Sequence, residues 1–381
     1  MPDRPLRLAV TTGAYTHIAD GVSLTLNRLV GYLVGRGVRV EVLAPVGPAN
    51  AVEPAGTLVP VPSITAPGRP DYRVALGLTR SARRALGAFR PDVLNVSTPD
   101  LLGLGARRWA LRRGVPVVGI YHTHFASYLD FYGLQRLEPL LWRYLRWFYR
   151  PFAQVFVPTH SMAKVLRENG FGDNLTVWGR GIETDRFAPE KRDLAWRRAL
   201  GFADDDVVVT WVGRLVLEKG LDVFAAMVEA MQARGLSFKT LVVGDGPERA
   251  AFEQRLAGAV FTGTLRGDDL PRAYASSDVF VFPSVSEAFG NVTLEAMACG
   301  LPAVCARAPG ASDLVVEGET GFLVPPGQAE AFADAAAQLV QDAALRLRMG
   351  EAARARALTF RWDVLLGQMY DALQSLAFPT R

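Results

Sequence analysis

The sequence predicts an α/β fold of two doubly wound domains, each a parallel sheet covered by crossover helices, facing each other across a cleft. Three observations carry this. A chain of 381 residues exceeds what one compact core serves. Short β-branched runs alternate with helical patterns from end to end, as parallel strands joined by crossovers require. The runs also fall into two sets, separated by the polar, helix-prone stretch Ala188–Asp206.

Leu6–Val10 reads as the first strand and runs into a glycine turn and a helix over Ser23–Leu33. Val38–Leu43 is the second strand. Pro45–Pro70 is rich in Pro and Gly and reads as loop. Asp92–Val96, Val115–Ile120 and Gln154–Val157 complete the first set. Val207–Val212, Phe238–Val243, Val260–Thr262, Val279–Phe282 and Ala303–Ala306 form the second, and Phe360–Leu376 is a final amphipathic helix anchored by Trp362 and Tyr370. The expected division is 1–187, 188–359 and a helix over 360–381 that crosses back to the first domain. Ligands of such sheets bind at the carboxyl ends of the strands.

Composition is that of a folded enzyme, with 50% hydrophobic and 21% charged residues. Two cysteines, Cys299 and Cys305, cannot build a disulfide framework and read as buried small residues in a reducing compartment. Leu6–Val10 is too short for a signal peptide core, and no run of 18 apolar residues exists, so a soluble, cytoplasmic protein is expected. Charge is divided unevenly. Residues 1–180 hold 22 Lys+Arg against 11 Asp+Glu, a net +11, and the remainder carries −7. The first half therefore faces an anionic partner, nucleic acid or a membrane surface, or else carries scattered solvated arginines.

Chemistry concentrates in the second half. Glu287 and Glu295 lie eight residues apart around a Gly290-Asn291 turn, directly after the strand Val279–Phe282. Strand, glycine turn and helix start is the geometry that grips a phosphorylated ligand, because a helix N-terminus offers unpaired N–H groups and a positive dipole end. The flanking carboxylates can accept hydrogen bonds from sugar hydroxyls, so the pattern points to a nucleotide-sugar site. In Gly213-Arg214-Leu215-Val216-Leu217-Glu218-Lys219-Gly220, Arg214 and Lys219 can aim cations at a diphosphate leaving group, unless Lys219 merely pairs with Glu218. Val243-Gly244-Asp245-Gly246-Pro247-Glu248 lacks the third glycine of a dinucleotide fingerprint and better suits close backbone approach to a nucleoside. Phe261-Thr262-Gly263-Thr264-Leu265-Arg266 ends a strand where free backbone groups can meet a base edge. Asp204-Asp205-Asp206 is a poor metal chelate, since adjacent residues of an extended chain face opposite ways.

In the first half, the loop Thr11–Val22 contains His17 and Gly21, and Ile120-Tyr121-His122-Thr123-His124-Phe125 ends a core strand. Three of the four histidines thus sit at strand ends. Beyond them, Arg143, Arg146 and Arg150 recur at i, i+3 and i+7 in a segment rich in Trp and Tyr, a basic stripe beside aromatics that suits interfacial docking or, more plainly, a solvated helix face.

The string S-E-A-F-G-N-V-T-L-E-A-M-A-C-G-L-P-A-V, with the three segments before it, resembles the donor domain of family 4 of the retaining glycosyltransferases over nearly all of Val207–Pro326. The resemblance implies the GT-B arrangement of two Rossmann-like domains. It implies that Glu295 binds the ribose hydroxyls and Glu287 the donor sugar's hydroxyls. Phe289, Gly290, Asn291 and Val292 match the turn that contacts sugar and phosphate, and Arg214 and Lys219 match the diphosphate pair. Gly244, Thr264 and Leu265 complete the expected donor set. Gly21 matches the glycine of the first-strand loop, and His122 matches the strand-end histidine that hydrogen-bonds the donor sugar. His124 stands where related lipid glycosyltransferases commonly carry an aspartate. With His17 and Tyr128 it belongs to the expected acceptor side. No metal and no resident cofactor is expected, because Arg214 and Lys219 already face the diphosphate.

The strings Leu137-Glu138-Pro139-Leu140-Leu141-Trp142-Arg143-Tyr144-Leu145-Arg146 and Val177-Trp178-Gly179-Arg180-Gly181-Ile182-Glu183-Thr184-Asp185 resemble the subgroup of sulfoquinovosyl-diacylglycerol synthases and bacterial lipid glycosyltransferases. That resemblance implies retaining transfer of a hexose or hexuronic acid, from a UDP-sugar in preference, to a membrane lipid hydroxyl such as diacylglycerol or ceramide. The enzyme would act in the cytoplasm, peripherally associated with an anionic membrane through its basic first domain. GDP-mannose-dependent transfer to a lipid or soluble glycan, and a nucleotide-sugar epimerase on the same fold, are the alternatives. Nucleic-acid binding rests on charge alone, without a recognition helix or stacking platform, and is not expected.

Overall fold

Two parallel sheets organise the chain, and the order of their strands decides where each sheet opens a crevice. The computed structural model describes residues 4–18, 20–66, 69–122 and 133–379. Among these, contacts group residues up to 122, 136–179 and 363–379 into one unit, and 133–135 and 180–362 into another.

The first unit contains β1 (Arg7–Thr11), β2 (Arg39–Pro45), β3 (Thr57–Val61), β4 (Ser63–Ala66), β5 (Arg69–Ala75), β6 (Val93–Val96), β7 (Val117–Ile120), β8 (Gln154–Val157) and β9 (Leu175–Val177). Seven of them form one parallel sheet in the order β3-β2-β1-β6-β7-β8-β9. Leu8 pairs with Val40 on one side and Val93 on the other, so the order reverses between β1 and β6. Such a switch point opens a crevice at the carboxyl ends, because the loops leaving its two strands turn to opposite faces. The central strands are buried at every position of Val93–Val96 and Val117–Ile120, as strands covered by helices on both faces must be. Helices start at side-chain caps: Asp20, Thr79, Asp100 and Thr159 each accept a backbone N–H two or three residues on.

The second unit contains β10 (Val208–Val212), β11 (Lys239–Val243), β12 (Val260–Gly263), β13 (Val279–Phe282), β14 (Ala303–Ala306) and β15 (Gly321–Val324), in the order β12-β11-β10-β13-β14-β15. Its pairings are parallel, and its switch point lies between β10 and β13. Both cysteines are free and buried in its core, and burial pushes the Cys305 thiol up to about 12.

The ten strands expected from sequence are present to within two residues. Five further strands are not in that reading. β3 and β5 lie at least partly in Pro45–Pro70 or just beyond it, a region expected as loop. β3 tolerates Pro60 because it is an edge strand pairing only with β2. β4 and β5 form a separate antiparallel pair. β9 and β15 are short edge strands that carry no periodic signal of their own.

The stretch Ala188–Asp206 is not a free linker. It contains the helix Leu194–Ala199, and Arg197 within it is wholly buried. Arg197 donates to Ser276 O at 2.7 Å, to Asp278 Oδ2 at 3.0 Å and to Asp206 O at 2.6 Å. Asp278 also accepts from Arg192 at 3.0 Å and from the Val208 N–H at 2.8 Å. The final helix, Trp362–Ala377, buries Leu366, Met369 and Leu373, while Trp362 and Tyr370 are partly exposed. Its Leu365 carbonyl accepts from Trp178 Nε1 at 2.8 Å.

Candidate functional site

Four loops leave the carboxyl ends of β10, β11, β12 and β13, and the parallel sheet puts them on one edge. They interlock through backbone. Gly213 N–H donates to Val243 O at 3.0 Å, Leu215 N–H to Asp245 O at 3.0 Å and Gly244 N–H to Gly263 O at 2.9 Å. A side chain at Gly244 would sit 1.8 Å from Gly213 O, and the residue has φ +140°, so only glycine lets these two loops lie together. Sequence segments separated by tens of residues thus form one rim. Thr264 is exposed on it and Leu265 is half-buried.

The loop after β13 leads into the helix Asn291–Ala298. Gly290 precedes that helix in the left-handed region at φ +99°, and no side chain caps it. Its first N–H groups therefore remain open to an anion, whereas the helix Gly21–Gly35 spends the N–H groups of Val22 and Ser23 on its own Asp20. Gly21 itself opens that helix, outside the pair of donors Asp20 takes.

Glu218, the neighbour of Lys219, is buried. Lys219 reaches Glu287 Oε1 at 2.5 Å and Ser286 Oγ at 3.3 Å, with side chains 19% and 24% exposed for Lys219 and Glu287. Ser284 and Ser286 both donate to Glu218 O, at 3.3 and 3.1 Å, and so tie the two loops together. These serines and Tyr274 escaped the sequence reading, although the Ser-Val-Ser run directly before Glu287 was the available signal. Tyr274 donates to Glu295 Oε2 at 3.0 Å, and nothing in the sequence marks that partnership. Burial pushes the Glu295 carboxyl up to about 7 against the pull of Tyr274 and Arg186. Arg214 is half-buried at the end of β10, and Phe289 is buried, edge-on to Phe360 with centroids 6.2 Å apart. Asn291 and Val292, on the first turn of the helix, are half-buried.

In the first unit His17 and His122 follow β1 and β7 at the same edge of the sheet, with β6 between those strands. His17 Nδ1 donates to Pro45 O at 3.3 Å, which leaves Nε2 as a buried acceptor with no partner among the described residues. Burial holds this imidazole below its usual range and therefore neutral at pH 7. His124 and Tyr128 lie outside the described residues. Asp204 pairs with exposed Arg198, Asp206 accepts the Ala203 N–H at 2.8 Å, and the described residues contain no cluster of three metal-ligating side chains.

The helix Glu138–Tyr149 continues the first unit. It buries Trp142, Leu145, Phe148 and Tyr149 and turns Arg143, Trp147 and the following Arg150 outward. No helix among the described residues is long and apolar enough to cross a membrane.

Two family models match the chain: Glycosyltransferase Family 4 over residues 19–186 and Glycosyl transferases group 1 over residues 206–342. A GDP-mannose-dependent alpha-mannosyltransferase of Mycobacterium tuberculosis is 32% identical over 385 residues, covering 97% of each chain. Sulfoquinovosyl transferase SQD2 of Arabidopsis thaliana is 36% identical over 300 residues, 76% of this chain, and the chain spans 58% of that protein's length. Among solved structures, sucrose-phosphate synthase from Thermosynechococcus elongatus matches with a TM-score of 0.79 at 20% identity, over 97% of this chain and 99% of that one, a likeness of fold.

Proposed function

Because the chain belongs to glycosyltransferase family 4 and is a glycosyltransferase of the GT-B fold using a nucleotide-sugar donor, we propose that it moves a hexose or hexuronic acid, with retention of configuration, to the hydroxyl of a membrane lipid such as diacylglycerol or ceramide. The carrying observation is the Lys219–Glu287 pair beside an uncapped helix N-terminus, with Glu295 on the same helix. Diphosphate oxygens meet the open N–H groups, Arg214 and Lys219. The sugar hydroxyls meet Glu287 and the ribose meets Glu295, and the family resemblance alone assigns His122 to the donor sugar as well. The acceptor oxygen bonds to the anomeric carbon on the face the phosphate leaves, the carbon–phosphate-oxygen bond breaks, and the hydroxyl proton passes to the departing phosphate. The protein supplies positioning and charge stabilisation, and two cations at the diphosphate make a divalent metal unnecessary. His17, His124 and Tyr128 are assigned to the acceptor, and the basic first half works peripherally at the anionic inner surface of a membrane.

The base is assigned to uridine on the resemblance to the sulfoquinovosyl subgroup. A second reading, mannosyl transfer from GDP-mannose, is supported by the end-to-end match to a mannosyltransferase of that name. The deciding experiment incubates the protein separately with UDP-glucose, UDP-glucuronate, UDP-galactose and GDP-mannose in a bacterial total-lipid extract. One lipid shifted by a hexose or hexuronate with a UDP donor is the expected outcome. A shift with GDP-mannose alone installs the second reading, and glycosylation only of soluble acceptors removes the lipid. Conversion of the donor with no acceptor present would indicate an epimerase.

Glu295 offers a second test. Ribose hydroxyls donate best to an ionised carboxylate, and this carboxyl titrates near 7 in the free protein. Donor affinity is therefore expected to tighten as pH rises through about 7, and Glu295→Gln to flatten the profile. Glu295→Ala is expected to weaken donor binding by roughly 1–3 kcal/mol in calorimetry; unchanged affinity would remove Glu295 from the donor site. The stability linkage has the opposite slope. A carboxyl raised by folding holds more protons in the native state between its ordinary 4.5 and about 7, so its contribution is largest at low pH and declines across that window.

A further inference from the structure

Where the helix Glu138–Tyr149 ends, the first unit encloses a cavity of about 460 Å³ lined by Arg143, Arg146, Arg150, Trp147, Phe171 and Asn174, with Gly170 and Gly172 leaving its wall open. Three arginines line it and no Asp or Glu does. Arg146 donates one side-chain N–H to Asn169 O at 2.9 Å, and neither the Arg143 nor the Arg150 guanidinium has a hydrogen-bond or ion-pair partner among the described residues. The nearest acid in sequence, Glu138, accepts from Trp142 Nε1 at 3.0 Å, and exposed Asp173 makes no ion pair with any of the three among the described residues. Like charges gathered in a concave site repel one another unless an anion joins them, and the guanidinium fork matches phosphate oxygens.

The neighbouring stripe of the same helix says where that anion resides. Leu137, Leu140, Tyr144 and Trp147 recur at i, i+3, i+7 and i+10, beside the arginine stripe. Leu137, Leu140 and Trp147 are 46%, 53% and 47% exposed. Arg107 backs the Trp147 ring at 4.4 Å and donates to the Phe148 and Trp147 carbonyls, so the indole projects from a fixed base. A soluble phosphate would give these apolar side chains nothing to enter, whereas a bilayer places phosphates and acyl chains side by side.

We infer that the Arg143–Arg146–Arg150 cavity is a binding site for the phosphate of an anionic phospholipid, with Leu137, Leu140 and Trp147 entering the acyl boundary beside it. The site deepens the membrane-facing reading of the first unit and rests on it. Its lining residues all belong to the first unit, and the lipid proposed here docks the enzyme.

The test floats the full chain with vesicles of phosphatidylcholine alone and of phosphatidylcholine with phosphatidylglycerol. Anionic vesicles should bind and neutral ones should not. Arg143→Gln/Arg150→Gln should weaken anionic-vesicle binding on the order of 30-fold, about what two juxtamembrane cations supply. Arg83→Gln/Arg84→Gln, which removes equal charge from another exposed helix, should weaken it far less, and Trp147→Ala should lower it without changing net charge. Equal losses from both arginine pairs would reduce the effect to general charge and overturn the site. Competition by millimolar inorganic phosphate as effective as the double substitution would assign the cavity to a soluble anion instead. Nucleotide-sugar binding is measured in every variant. Its retention with vesicle binding unchanged overturns the site and leaves the glycosyltransferase reading standing, whereas loss of donor binding by the unaltered protein strikes that reading and not the cavity.

Discussion

Lys219→Ala is expected to lower kcat by roughly a hundredfold or more while donor affinity changes by less than about tenfold, because the diphosphate gains charge only as the glycosidic bond breaks. In the unliganded protein Lys219 is held by Glu287 and Ser286, so the cation is positioned before the donor arrives. In the proposed arrangement the ground-state phosphates also meet the helix N-terminus and Arg214, so they lose only part of their hold when Lys219 goes. Lys219→Arg should recover part of kcat, since charge returns but the shape at Glu287 changes. Donor titration and steady-state kinetics on the same preparations separate the two parameters. A loss confined to affinity, with kcat intact, would remove Lys219 from the leaving-group role.

Asp278→Ala is expected to destabilise the second unit by about 3–5 kcal/mol, the range for stripping one partner from a buried ion pair. Arg197 is 0% exposed and Asp278 only 15%, so the stranded guanidinium cannot reach water without local unfolding. The same substitution also frees Arg192 and the Val208 N–H at the start of β10. Denaturant unfolding, followed through a tryptophan signal, reads the loss. Arg197→Met/Asp278→Ala should recover much of it, because two apolar groups leave no buried charge. If the single substitution costs no more than an ordinary surface change, Ala188–Asp206 is the loose connector its polarity suggests.

The loops that carry the proposed donor residues were legible in the sequence because they are contiguous strings at strand ends. Once a β-branched run fixes a strand and a glycine ends it, the residues that follow must lie at the carboxyl edge of a parallel sheet, and Arg214, Lys219, Gly244, Glu287 and Glu295 could be placed there one by one. Edge strands were less legible: Thr57–Val61 carries a proline and Leu175–Val177 spans three residues, and each draws its order from a single neighbour.

By itself, then, the sequence determined the α/β class, ten strands and the nucleotide-sugar chemistry, since period, turn residues and helix-start residues act over a few positions. Only the tertiary structure decided the partners. Lys219 is paired with the distant Glu287, Tyr274 is the hydrogen-bond donor to Glu295, and Arg197 converts a polar stretch into core. Each of these depends on which distant segment the sheet order brings within about 3 Å. Charge and burial at a contact are properties of both sides, and a linear sequence supplies one side at a time.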